Sequence, residues 1–239
     1  LVSWLFLHKI NKMFFEKRDA IFVTILSISS FFYMGEYFIQ YNQNIILLPF
    51  WLSSAYFFIK AIKTNHNLYW ILTTISVALG VYAKFQIAIL AFCMLIYLCL
   101  KLKKEYISKI ILCGFVGAIL ILPAIIALYN MDFMPLKWAT FRFTESQNIL
   151  LSILNGFFDI FFQFLNFAVA IIVVSYLLYK NKIQIMSVNT LKNDRILLSI
   201  LGITPYFLFI IMEMKTPLPI GWLVCSSSLI LPAIFLLLK

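Results

Sequence analysis

The sequence predicts an all-α fold, a polytopic transmembrane helix bundle of about eight full spans plus one partial span, forming a single domain over residues 1–239. Three observations carry this reading. First, 64% of the residues are hydrophobic and 12% charged, whereas a soluble domain carries about 25% charged residues. Second, the apolar residues gather in runs with no alternating ten-residue strands between them, and a bilayer interior offers no water to unpaired backbone groups, so runs of this kind must be helices. Third, the basic residues occupy alternate gaps. One set of gaps holds Lys9, Lys12, Lys17, Arg18, Lys60, Lys63, Lys101, Lys103, Lys104, Lys109, Lys180, Lys182, Lys192, Arg195 and Lys239 and sums to +11 with its acids. The other holds Lys84, Lys137, Arg142 and Lys215 and sums to −1. The positive-inside rule makes the first set cytoplasmic. The net charge of +10 is therefore a topology signal, not a nucleic-acid footprint, because no single soluble face collects it.

In chain order, residues 1–7 are too few to span a bilayer and read as the tail of a helix begun upstream. Residues 8–19 follow as a cytoplasmic stretch, and the runs then fall at 20–35, 45–60, 68–83, 86–100, 107–129, 157–179, 196–212 and 220–238. Trp51, Trp70, Trp138 and Trp222 lie near run ends, where an interfacial belt would place them. Cys93, Cys99, Cys113 and Cys225 sit in apolar runs without CxxC spacing, so they read as buried, reduced and structural, with no disulfide framework or zinc site. The one long outward connection is 130–156. Asp159, after it, either caps the next span or belongs to a site.

No nucleophile elbow, P-loop, HExxH or dinucleotide fingerprint occurs, which removes the common soluble chemistries. The polar groups that remain lie on the outward side. Glu36, Tyr41, Asn42 and Asn44 form one corner and Lys84 a second; Asp132, Lys137, Arg142 and Glu145 lie in the long loop, and Glu213 and Lys215 in a short one. Lys84 admits two readings: a snorkelling anchor with its ammonium among headgroups, or a cation held at a cavity to meet a phosphate. The loop charges Lys137, Arg142 and Glu145 read first as ordinary solvated residues, and His8 and His66 as solvated side chains on the basic face.

Several segments resemble one family in order along the chain. Tyr41-Asn42-Gln43-Asn44 leads into Leu48-Pro49-Phe50-Trp51 and Ala55-Tyr56-Phe57-Phe58-Ile59-Lys60-Ala61. Leu79-Gly80-Val81-Tyr82-Ala83-Lys84-Phe85-Gln86 is similar to a Gly-Leu-x-x-Lys-Tyr segment. Leu122-Pro123 precedes Asn130-Met131-Asp132-Phe133-Met134-Pro135-Leu136-Lys137-Trp138-Ala139, and Trp222 precedes Leu231-Pro232. Together they resemble the family 39 glycosyltransferases, membrane relatives of protein O-mannosyltransferases and aminoarabinose transferases. The chain departs from the family pattern at Ala124 and Ala127, where many members carry His and Trp, at Met131, which interrupts an Asn-Asp pair, and at Gly221, where a basic residue is common.

The resemblance implies a GT-C architecture in a bacterial cytoplasmic membrane, with the active site facing outward. The implied reaction moves a hexosyl or pentosyl group from a polyprenyl-phosphate donor to a lipid, glycan or protein acceptor. Lys84, Asn42, Asn44, Glu36, Asp132, Lys137 and Arg142 become the substrate-binding candidates, and the catalytic carboxylate is expected in a loop before Leu1. No cofactor is implied, and a divalent metal is left open. The partners are the lipid-linked donor, its acceptor and membrane lipids, without nucleic acid. Two other readings stand beside it: a transporter or flippase with its polar groups on a substrate path, and a non-catalytic membrane scaffold.

Overall fold

The computed structural model describes residues 1–30, 42–101, 103–137, 158, 161, 165, 167–180, 192–213 and 223–238, and those residues fold into helices. In order these are α1 (Val2–Asn11), α2 (Lys17–Ile28), α3 (Gln43–Thr64), α4 (Asn67–Ala83), α5 (Ile87–Lys101), α6 (Lys104–Asn130), α7 (Ala168–Tyr179), α8 (Lys192–Glu213), α9 (Leu223–Ser227) and α10 (Ile230–Leu237).

The local chemistry sets most of these limits. Asn42 is extended, and its side chain accepts from the Asn44 N–H at 2.9 Å, capping the start of α3. Asn65 closes the same helix in the left-handed conformation, φ 51°, which Asn tolerates better than most residues. His66 then caps α4 by accepting from Leu68 N–H at 3.3 Å. At the far end of α4, Lys84 is fully extended (φ −167°, ψ 134°), so the helix stops at Ala83 and the chain turns into α5.

Core packing centres on α3. Trp51, Leu47, Leu48, Leu52, Phe58 and Ile59 are its buried face. Against it lie α1, α4, α5 and α9, while α8 joins α5 to α9 and α10. Gly202 on α8 marks the tightest of these crossings: a Cβ there would drive into the backbone carbonyl oxygen of Leu229.

Two helices, α3 and α6, are long and apolar enough to cross a membrane by length and composition. Helix α6 is not the core helix of a soluble protein, because its apolar window is unburied and Ile111, Phe115, Leu122 and Ile126 are exposed along it. A continuous apolar surface of that kind belongs against lipid or another apolar body. The expected eight spans are not reached among the described residues. Helices α4 and α5 have 17 and 15 residues, short of the ~20 that a span needs.

Other expectations are corrected. Within the run at 220–238, the described residues 223–238 form two helices, separated at Ser228-Leu229. There the hydroxyls of Ser227 and Ser228 bond the carbonyls of Val224 and Cys225, and Pro232 has no N–H to carry one helix through. Trp51 and Trp70 are no interfacial belt: they are 0% and 2% exposed, because each falls on the inward face of its helix. Trp138 and Trp222 lie outside the described residues. All four cysteines are free, as expected, but Cys99 is exposed, since α5 turns Cys93 and Met94 inward and Cys99 outward.

Candidate functional site at the Lys84 end

Cross-helix bonds sort the connections into two ends. At one end Lys63 pairs with Asp194 at 3.2 Å and bonds the Met13 carbonyl, Asn65 bonds Glu105, Lys101 bonds Asn193, and Lys109 bonds Asn67. The gaps that the charge pattern assigns to one side thus do meet. At the other end the start of α3, the end of α4 and helix α9 converge.

The centre of that second end is Lys84. Its Nζ donates to Asn44 Oδ1 at 2.5 Å, and the backbone carbonyl of Asn44 accepts from Cys225 Sγ at 3.3 Å. Lys84 and Asn44 are each half-buried and Cys225 fully so. Lys84 lies between α4 and α5, and burial pulls its pKa from the usual 10.5 down to about 8, while Cys225 acts weakly in the opposite direction. An ammonium that has shed water beside the N-terminus of a 22-residue helix meets the positive end of that helix dipole as well, so the notch favours an anion.

The structure thus brings together Lys84 and Asn44, which lie 40 residues apart in sequence. Asn42 sits next to them, but its side-chain oxygen is committed to the α3 cap. Asp132 and Lys137 lie elsewhere. Tyr82, at the end of α4, donates to the Leu120 carbonyl at 2.6 Å, and α6 continues to Asn130, about 15 Å further at 1.5 Å per residue. Asp132 and Lys137 follow on that projecting end, both exposed, with Asp132 and Phe133 at positive φ. Glu36, Tyr41, Arg142, Glu145, Asp159 and Lys215 lie outside the described residues, as does the side chain of Glu213.

Sequence reading missed Cys225. It reads there as one more apolar core residue, and only the folded chain sets it under Asn44. Among the described residues no group of three His, Cys, Asp or Glu side chains is placed to hold a metal ion. His8 is half-buried, with Nδ1 3.4 Å from Thr24 Oγ1, so it is less solvated than its basic surroundings suggest.

Two clefts flank α4. One, of about 260 Å³, lies beside Tyr82 between α4 and α6 and is lined by Ala78, Leu79, Ile119, Leu120 and Pro123. The other, of about 430 Å³, lies nearer the basic end and is walled by Trp70, Thr73, Met94, Cys113 and Gly117. Both walls are almost wholly apolar.

A family model described as dolichyl-phosphate-mannose-protein mannosyltransferase matches residues 1–128. The match covers the Tyr41 to Ala61, Leu79 to Gln86 and Leu122-Pro123 segments. No curated protein and no solved structure matches the chain.

Proposed function

The chain belongs to the dolichyl-phosphate-mannose-protein mannosyltransferase family, and from that premise we propose that it is a membrane glycosyltransferase whose Lys84 notch holds the phosphate of a polyprenyl-phosphate sugar at the outer face. The observation that carries the proposal is the 2.5 Å contact of Lys84 with Asn44 at the start of α3. It puts a dehydrated cation, a side-chain amide and a helix N-terminus at one point. A phosphodiester carries a negative charge and accepts from persistent, directed donors of this kind.

The chemistry asked of these residues is limited. As the bond between the sugar C1 and the phosphate oxygen breaks, negative charge builds on the departing polyprenyl phosphate. A cation already in place there lowers the barrier without reorganising. Asn44 fixes the Lys84 ammonium, and the amide N–H₂ of Asn44 remains as a donor for sugar or phosphate. The apolar cleft beside Tyr82, two residues before Lys84 in the chain, is proposed to take the first isoprene units of the donor. Asp132 and Lys137 on the projecting end of α6, together with Glu36 and Arg142, are proposed to meet the acceptor and the sugar.

The test is Lys84→Met in the full-length protein, assayed for sugar transfer from a polyprenyl-phosphate donor. Met keeps the apolar stem, so expression and membrane insertion are expected to hold. Losing one charge-assisted contact costs roughly 1.5–3 kcal/mol, or about ten- to a hundredfold in rate if the contact acts in the transition state. Lys84→Arg is expected to keep part of the activity, because a planar fork does not reproduce a compact ammonium. Full transfer by Lys84→Met would return Lys84 to the role of an interfacial anchor.

A further inference from the structure

The opposite, basic end carries an arrangement for which sugar transfer has no use. Lys9 on α1 and Lys60 on α3 converge on one ring: their Nζ atoms lie 5.8 and 5.5 Å from the centroid of Tyr56, which bounds their separation at about 11 Å. Lys9 also lies 5.6 Å from the Phe6 ring, and Lys60 lies 4.9 Å from the Tyr69 ring. Phe6 packs on Tyr56 at 5.5 Å and on Phe57 at 5.7 Å, so rings from α1, α3 and α4 lie beside the two cations.

Neighbouring lysines are held differently. Lys63, Lys101, Lys103 and Lys109 each reach a side-chain oxygen of Asp194, Asn193, Glu105 or Asn67. Lys60 reaches the Tyr69 hydroxyl at 3.3 Å, and no carboxylate of the described residues pairs with Lys60 or Lys9. Ring faces attract each ammonium but do not cancel the repulsion between two of them. An anion does.

The surroundings identify its source. Lys60 lies four residues before the end of α3 at Thr64, about 6 Å inside it, at the depth where amphipathic rings mark a membrane interface. Along α1, Val2, Leu5 and Lys9 recur at helical spacing and are all exposed. That stripe is apolar along its length and cationic at its tip, the profile of a lipid with an anionic head. We propose that Lys9 and Lys60, beside the Phe6, Tyr56 and Tyr69 rings, bind the phosphate headgroup of an anionic phospholipid whose acyl chain lies along Val2 and Leu5. The inference rests on the membrane reading of the chain and is independent of transfer at Lys84.

Native mass spectrometry of the full-length protein in detergent tests this, with phosphatidylglycerol and phosphatidylcholine titrated separately. The wild type is expected to retain phosphatidylglycerol preferentially. Each ammonium near an anionic surface contributes about fivefold in affinity, so Lys9→Gln is expected to lose about fivefold and the pair Lys9→Gln with Lys60→Gln about 25-fold. Lys104→Gln, at the same end, is expected to change affinity less than twofold. Lys9 is exposed, so its single substitution reads the site without disturbing the core. Unchanged affinity in Lys9→Gln, or equal retention of the two lipids, would overturn the proposal. Displacement of phosphatidylglycerol by a tenfold excess of inorganic phosphate would assign the site to a soluble anion and overturn the lipid as its source.

Discussion

Raising the pH from 7 to 9 is expected to weaken donor binding about tenfold, through Lys84 alone. With its pKa drawn down to about 8 by burial, about nine-tenths of Lys84 carries its proton at pH 7 and about one-tenth at pH 9. The phosphodiester of the donor does not titrate in that interval, so the loss of affinity follows the loss of cation. The stability consequence has the opposite sign. The folded-state pKa lies below the unfolded value of 10.5, so between about pH 8 and 10.5 the unfolded chain binds more protons, and the stability cost of burying the Lys84 charge is relieved as pH rises. Weakened binding at pH 9 is therefore not unfolding. The assay is kcat/KM for a polyprenyl-phosphate sugar against pH, which reports groups of the free enzyme. Wild type is expected to fall through an inflection near 8. Lys84→Arg, charged throughout, is expected to remain flat across the range. A flat wild-type profile, or the same inflection in Lys84→Arg, would refute the reasoning.

Three further outcomes follow from packing and topology. Gly202→Ala places a methyl against the Leu229 carbonyl and is expected to destabilise by about 1–3 kcal/mol, partly offset by Ala's helix propensity of about 1 kcal/mol; differential scanning fluorimetry should show Tm lower by a few degrees, and an unchanged or higher Tm would contradict the crossing. Thr24→Val removes the acceptor that Asn11 Nδ2 reaches at 2.9 Å in the core, at an expected cost of about 1–3 kcal/mol. Adding Asn11→Leu should recover most of that loss, which chemical denaturation would show. Single cysteines placed at Asn65 and Asp132, in a background without the four native cysteines, are expected to react with an impermeant maleimide from opposite faces of the membrane; labelling of both from one side would break the alternation of ends.

Legibility in the sequence followed how local each cause is. Helical class was readable because hydropathy alone forces it, and the grouping of loops into two ends was readable because charge alternates with the runs. Lys63 with Asp194 and Lys101 with Asn193 are what that alternation looks like when folded. Helix limits were harder. An N-cap such as Asn42 is a short-range signal easily read as a ligand, and the break at Ser228 depends on two hydroxyls and Pro232 acting together. Which face of a helix turns inward was harder still: hydropathy gives Trp51 and Trp70 no preference between lipid and core in an apolar chain, so their burial could not be foreseen. At the site, Lys84 stood out as the lone charge between Lys63 and Lys101. Its pairing with Asn44 and the position of Cys225 come from chain crossings that no local pattern encodes.

Photocrosslinking tests the central claim most directly. With benzoylphenylalanine in place of Phe85, exposed beside Lys84, and in place of Leu100 at the opposite end of α5, a radiolabelled polyprenyl-phosphate sugar is irradiated with the full-length protein in membranes. Crosslinking is expected from position 85, saturable by unlabelled donor and suppressed by Lys84→Met, with little from position 100. Equal yields from both positions, or a yield at 85 that Lys84→Met leaves intact, would contradict a phosphate site at the Lys84 notch.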